Sequence, residues 1–192
     1  MIEVFKTYLK EKGSFSDVEL KQIESVTTIK KLRKRQYLLQ EGDVWKYNAF
    51  ITKGCVRTYT VDEKGNEHIL NFAVENWWTG DRESLFSGKP SVYNIDALED
   101  SQVALITKEN FNLLCKEIPA FNNMVTLILE KSFIVSQSRI QSFISSSAEE
   151  KYLKFLETFP HLPMRVPQGM IASYLGITAE TLSRIRKNAL KK

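Results

Sequence analysis

Residues Val166 to Lys192 read VPQGMIASYLGITAETLSRIRKNALKK, and this stretch decides the architecture of the chain. Pro167 suits a helix start, where its missing N–H would have no partner and its φ is already close to helical. Gly176 follows Leu175 at a position suited to a sharp turn, and Thr178 offers a capping oxygen to a second helix beginning at Ala179. The spacing therefore predicts a helix, a short glycine turn and a helix. At about 100° per residue, Leu182, Ile185 and Ala189 share one side of the second helix and face Ile171, Ala172, Leu175 and Ile177. Glu180, Arg184 and Lys187 fall almost opposite and project outward.

That outward face carries the chemistry of DNA readout. Arg184 can donate a bidentate pair to guanine O6 and N7, Glu180 can accept from cytosine N4, and Lys187, Lys191 and Lys192 can reach phosphates. A carboxylate is costly beside phosphates, so its place on such a face argues for reading a base. Glu180 can also stabilise its own helix terminus and pair with Arg184 one turn on, and the two roles coexist. Charge supports the same end of the chain: the net charge is +4, yet residues 165–192 hold six cations against the single anion Glu180. A basic terminal module on a near-neutral body is the footprint of a polyanion partner.

The stretch IASYLGITAETLSRIRK resembles the helix-turn-helix of the Crp/Fnr family of bacterial transcription regulators. Glu180, Thr181, Leu182, Ser183 and Arg184 follow the family's recognition pattern, while Ala179 stands where an arginine is usual. The resemblance implies DNA contacts from Gln168, Thr178, Ala179, Glu180, Thr181, Ser183, Arg184 and Lys187. It also implies a cytoplasmic homodimer on double-stranded DNA, RNA polymerase as a further partner and a small-molecule effector of unknown identity. The chain ends at Lys192, immediately after the recognition helix, so a wing following it is expected to be missing or minimal.

Working back from this module, Ala148 to Phe159 reads as a helix ended by Pro160 and Pro163, preceded by the polar break Ser145-Ser146-Ser147. A long helix extends from beyond Pro119 to about Phe143, after a short one at Lys108 to Cys115. Its apolar residues cover nearly every direction, so it must be buried on more than one side, against its own domain and against a second copy. Met124, Val125, Ile128 and Val135 are the expected seam. From Thr28 to about Thr107, short runs rich in Val, Ile, Tyr, Phe and Thr alternate with turn residues and predict six or more antiparallel strands. DEKGN, Asp62 to Asn66, is a hairpin turn with Gly65 free to take a positive φ. Residues 2–26 read as helical, with Ser16-Asp17 as a cap. The expected fold class is α+β: an antiparallel double-stranded β-helix, or jelly roll, with amino-terminal helices (1–118), a dimerisation helix (119–145) and a helix-turn-helix domain (146–192).

KLRKRQYLLQEGDVWKYNAFITKGCVRTYTVDEKGNEHILNF is similar to the opening strands of a cyclic-nucleotide-binding roll, with Glu41-Gly42-Asp43 and Gly54 at turn positions. The basic run Lys30 to Arg35 reads as a solvated strand edge. GDRESLFSGKPSVYNIDALED occupies the place of the family's phosphate-binding cassette, which implies a pocket at Gly80, Asp81, Arg82, Glu83, Ser84, Ser91 and Tyr93. Ser91 stands where the resemblance calls for the phosphate arginine, and a neutral hydroxyl does not neutralise a buried phosphate. Arg57 and Arg82 are the candidate substitutes, with Asp81 or Glu83 in place of the ribose glutamate. Cyclic AMP binding is therefore not expected, and Trp77, Trp78 and Tyr93 are candidates to line a different site.

Other functions fit less well. No run approaches the roughly 18 apolar residues of a membrane span, and MIEVFKTYLKEKG carries charge throughout, unlike a signal peptide. Cys55 and Cys115 lack the spacing of a disulfide framework, zinc site or iron–sulfur cluster, and read as buried small residues. With only His68 and His161, a cupin-like metal enzyme has no imidazole cluster, and no nucleophile elbow or P-loop is present. The chain is expected to be no enzyme and to need no cofactor. The alternatives are a cyclic-nucleotide-responsive regulator with a non-standard pocket, and a ligand-sensing module that contacts protein instead of DNA.

Overall fold

The computed structural model describes residues 2–189. In order, the elements are α1 (Ile2–Lys12), α2 (Asp17–Ser25), β1 (Thr28–Leu32), β2 (Tyr37–Leu39), β3 (Tyr47–Lys53), β4 (Val56–Val61), β5 (Glu67–Ala73), β6 (Trp78–Thr79), α3 (Arg82–Ser87), β7 (Asn94–Ala97) and β8 (Ser101–Thr107). These are followed by α4 (Lys108–Glu117), α5 (Pro119–Ser145), α6 (Ala148–Thr158), a 3-10 turn at Leu162–Met164, α7 (Gln168–Leu175) and α8 (Ala179–Ala189).

The strands form two four-stranded sheets, ordered β1-β8-β3-β6 and β2-β7-β4-β5, with every recorded pairing antiparallel. Pattern explains which sheet is covered twice. β3 presents Ala49 and Ile51 to the roll interior, where they meet Leu39, Val56, Ile95 and Val103. Its alternate residue Phe50 points outward, with Ala104 and Ile106 of β8, into a second cluster formed with Phe5, Tyr8, Leu9, Leu114 and Phe121 of the helices. A strand buried on both faces loses the apolar–polar alternation of a half-buried one, hence the run NAFIT. Phe50 anchors the outer layer through ring contacts with Phe5, Tyr8 and Trp78 at 4.8, 4.6 and 5.3 Å.

Side-chain capping sets the helix starts. Ser16 and Glu19 form a reciprocal capping box at α2, and Ser147 and Glu150 do the same at α6, so the polar break at Ser145 to Ser147 is an active stop and start. Residues 2–26 hold two helices separated by Gly13 to Ser16. α3 and the short β6 lie in stretches the pattern reading leaves without an element.

The chain packs as two units: residues 1–60 with 71–129, and residues 61–70 with 130–192. α5 contributes to both, so limits at 118 and 145 follow secondary structure, whereas packing changes partners inside the helix. The second unit takes in the tip of the β4–β5 hairpin. Its core is Tyr152, Phe155, Phe159, Leu162, Val166, Ile171, Ala172, Leu175 and Leu182.

Candidate nucleic-acid interface and roll pocket

The helix-turn-helix is built from α7, Gly176 and α8. Gly176 takes φ +65°, and a Cβ there would lie 2.5 Å from Cζ of Phe143, so both backbone and space call for glycine. The Gly176 amide closes α7 onto Ala172 and Ser173. Thr178 Oγ1 accepts from the Thr181 amide at 3.2 Å and starts α8. Leu182 is 0% exposed, and its burial fixes the rotation of α8 about its own axis.

With Leu182 inward, Thr178, Ala179, Glu180, Arg184 and Lys187 are exposed, as is Gln168 at the start of α7. Thr181 and Ser183 are half-buried, and Asn188 joins the exposed face. Thr181 lies in the first turn of α8, its hydroxyl 3.1 Å from that of Thr178. Glu180 is held below the usual carboxylate range, first by its own backbone N–H and then by the Thr178 hydroxyl. Its side chain stays exposed in the first turn of α8. Lys191 and Lys192, read above as phosphate contacts, lie outside the described residues, as does the side chain of Ala189.

In the roll, the cassette residues are occupied with one another. Asp81 is buried and caps α3, accepting from the Ser84 amide at 3.1 Å, while its other oxygen accepts from the Ser91 hydroxyl at 2.7 Å. Ser91 also pairs by backbone with the EGD turn: its N–H donates to Asp43 and its carbonyl accepts from Gly42, both at 2.8 Å. Ser84 accepts from the Trp45 amide and donates to the Lys89 carbonyl. A Cβ at Gly80 would sit 2.5 Å from the Trp45 indole nitrogen. Where the family reading calls for a cation facing a phosphate, this chain places a buried carboxylate.

Both candidate arginines have partners elsewhere. Arg57 forks onto Asp96, its direct cross-strand neighbour on β7, with Nε to Oδ1 at 2.8 Å and Nη2 to Oδ2 at 3.0 Å, both side chains less than 10% exposed. Its guanidinium stacks on the Tyr59 ring at 4.1 Å. Burial, then the neighbouring Tyr37 hydroxyl, holds the Tyr59 phenol well above the usual tyrosine range. Arg82 is exposed over the Phe86 ring, and Glu83 is exposed beside it. Tyr93 is half-buried and donates its amide to Ser91. Trp77 packs on the roll core, and Trp78 belongs to the outer aromatic cluster. The reading of sequence missed Asp96, whose signal is a lone charge in the otherwise uncharged strand NIDA.

Along α5, the expected seam residues separate. Met124 is 2% exposed, and Val125 and Ile128 are half-buried against the same outer cluster. Val135 is exposed with Leu127, Phe133, Ile134, Ile140 and Ile144, and Ile144 reaches 81%. Leu127 and Ile134, and likewise Phe133 and Ile140, stand seven residues apart.

Residues 29–117 match the family model of the cyclic nucleotide-binding domain. The regulatory protein HlyX of Actinobacillus pleuropneumoniae is 27% identical over 90% of this chain and 76% of that protein. The fumarate and nitrate reduction regulatory protein of Yersinia pestis is 26% identical over 90% of this chain and 73% of its own length. FixK2 of Bradyrhizobium japonicum shares the fold at a TM-score of 0.74, covering 86% of this chain and 85% of its own at 19% identity. Among the described residues, no helix is long and apolar enough to cross a membrane, and no group of three or more His, Cys, Asp or Glu is placed to hold a metal ion.

Proposed function

We propose that the chain is a DNA-binding transcription regulator of the Crp/Fnr type and works as a homodimer whose α8 helices read two half-sites of double-stranded DNA. The observation that carries this is the burial of Leu182, which turns Glu180, Arg184 and Lys187 outward together. In this reading 1–118 is the sensing roll, 119–145 the dimerisation helix and 146–192 the DNA-binding domain. The apolar residues of α5 exposed beyond Met124 form the two-fold seam. RNA polymerase contact and a small-molecule effector belong to the same reading.

The effector is not cyclic AMP bound in the family's usual way. A phosphate at the cassette would face the Asp81 carboxylate, with Arg57 already forked onto Asp96. Bringing a second anion to a buried carboxylate without a cation is strongly unfavourable. Titration calorimetry with cyclic AMP in the micromolar range should show no heat of binding, and a clear isotherm would overturn this part.

Selection of bound fragments from random DNA tests the function itself. Wild-type protein should enrich a palindrome, and failure to enrich any motif would sink the proposal. Arg184→Ala should cost about 1 to 3 kcal/mol per half-site and relax one base position. Lys187→Ala should weaken all sequences alike and reduce the salt slope by about one unit.

A further inference from the structure

The tip of the β4–β5 hairpin is fastened to the helix-turn-helix at two consecutive residues of α7. β5 is the outermost strand of its sheet. The Ser173 hydroxyl accepts from the Ile69 amide at 3.0 Å and donates to the Glu67 carbonyl at 3.3 Å. One hydroxyl thus bridges backbone groups two residues apart on β5, as a neighbouring strand would. Next to it, Arg139 of α5 donates to the Leu70 carbonyl and lies 4.1 Å over the Tyr174 ring, which packs in turn on Phe155 and Phe159. The planar guanidinium serves a carbonyl with its edge and the ring with its face. The turn at the tip is itself stiff: Asp62 accepts from the Lys64 and Asn66 amides, the Asn66 side chain and His68.

The chain passes between the two packed units at three places, after Thr60, after Leu70 and after Leu129. Two of the three are the strands of this hairpin. Without the clamp, α7 and α5 lose these holds on the hairpin.

We propose that Ser173 and Arg139 are positioning residues for DNA recognition, holding the helix-turn-helix to the hairpin and so setting the half-site spacing that a dimer accepts. This rests on the DNA-binding reading above. Each base pair added between half-sites rotates one of them by about 34° and moves it about 3.4 Å. A clamped pair meets a displaced half-site only by breaking the clamp. Discrimination between spacings therefore contains the worth of these bonds, about twofold to tenfold for a hydrogen bond of ordinary net strength.

The test compares the selected palindrome with versions one base pair longer and shorter, alongside an isolated half-site. Ser173→Ala and Arg139→Ala should each narrow the ratio between preferred and displaced sites by about twofold to tenfold, with half-site affinity held within about twofold. Ser173→Thr, which keeps the hydroxyl, should restore the ratio. An unchanged ratio in Ser173→Ala overturns the proposal, as does an equal loss on the isolated half-site, which would mark a merely structural role. Hydrogen exchange at the Ile69 amide needs no DNA: it should quicken in Ser173→Ala while Phe50 exchange stays as in wild type, and unchanged Ile69 exchange also refutes the clamp. Absence of any selected motif for wild type would defeat the functional reading too, whereas a clear motif with an unaltered spacing ratio defeats this inference alone.

Discussion

Replacing Asp96 by alanine tests the claim that Arg57 is committed inside the roll. The variant leaves a guanidinium less than 10% exposed without the carboxylate that both Nε and Nη2 contact. Breaking a buried pair from one side costs about 3 to 5 kcal/mol, and the Tyr59 ring that remains 4.1 Å from Arg57 places the expectation at the lower end. All three tryptophans, Trp45, Trp77 and Trp78, lie in the unit that contains the pair, so their fluorescence follows roll unfolding without contribution from the helix-turn-helix. With a urea m-value of about 2 kcal/mol per molar, a loss of about 3 kcal/mol lowers the midpoint by about 1.5 M. The double variant Arg57→Met, Asp96→Leu should recover most of it, because both charges of the pair are then replaced by apolar groups. A midpoint shift under about 0.5 M, or a double variant as unstable as the single one, would refute the reasoning.

Three further outcomes follow from the geometry. Gly176→Ala combines a left-handed residue with a Cβ aimed at Phe143 and should cost about 1 to 2 kcal/mol, read as faster hydrogen exchange at Leu182; adding Phe143→Ala should return only the steric part. Phe133→Glu should turn dimers into monomers in sedimentation at micromolar concentration, whereas Met124→Ala should keep the dimer and destabilise the roll by about 2 to 5 kcal/mol. The Glu150 carboxyl is held below its usual range by the backbone and hydroxyl of Ser147, so the cap of α6 is fully in place above the ordinary glutamate value and is lost as pH falls through the depressed one. Amide exchange at Glu150 should therefore rise on acidification, beyond the intrinsic change, in wild type and show little such rise in Ser147→Ala.

The parts of this molecule legible in its sequence are those set by local chemistry. Thr178, Gly176 and the 100° spacing of α8 interact within a few residues, so the turn and the buried side of the recognition helix can be read from order alone. The strands of the roll are legible as β-rich runs, but NAFIT is apolar on both faces because helices cover it, and nothing nearby in sequence says so. The same non-locality governs the proposed seam. Met124 and Phe133 are equally apolar letters, and only the presence of Phe121, Leu114 and α1 around the first decides which faces inward. In the cassette, the absence of arginine at Ser91 was visible, while its consequence, a hydroxyl bonded to Asp81 ten residues earlier, depends on how the loop closes.

The two sheets guard their outer strands by different means. β1 carries Lys30 and Lys31, with Arg33 to Arg35 just beyond, and side chains of that charge repel another chain that tries to add alongside. β5 carries no such lysines in Glu67–Ala73; near its start, its outward backbone is occupied by Ser173. Protection of that strand from intermolecular pairing is therefore conditional on the docked α7. A helix-turn-helix that comes loose uncovers a β template, so loss of the Ser173 bonds should favour self-association of the chain as well.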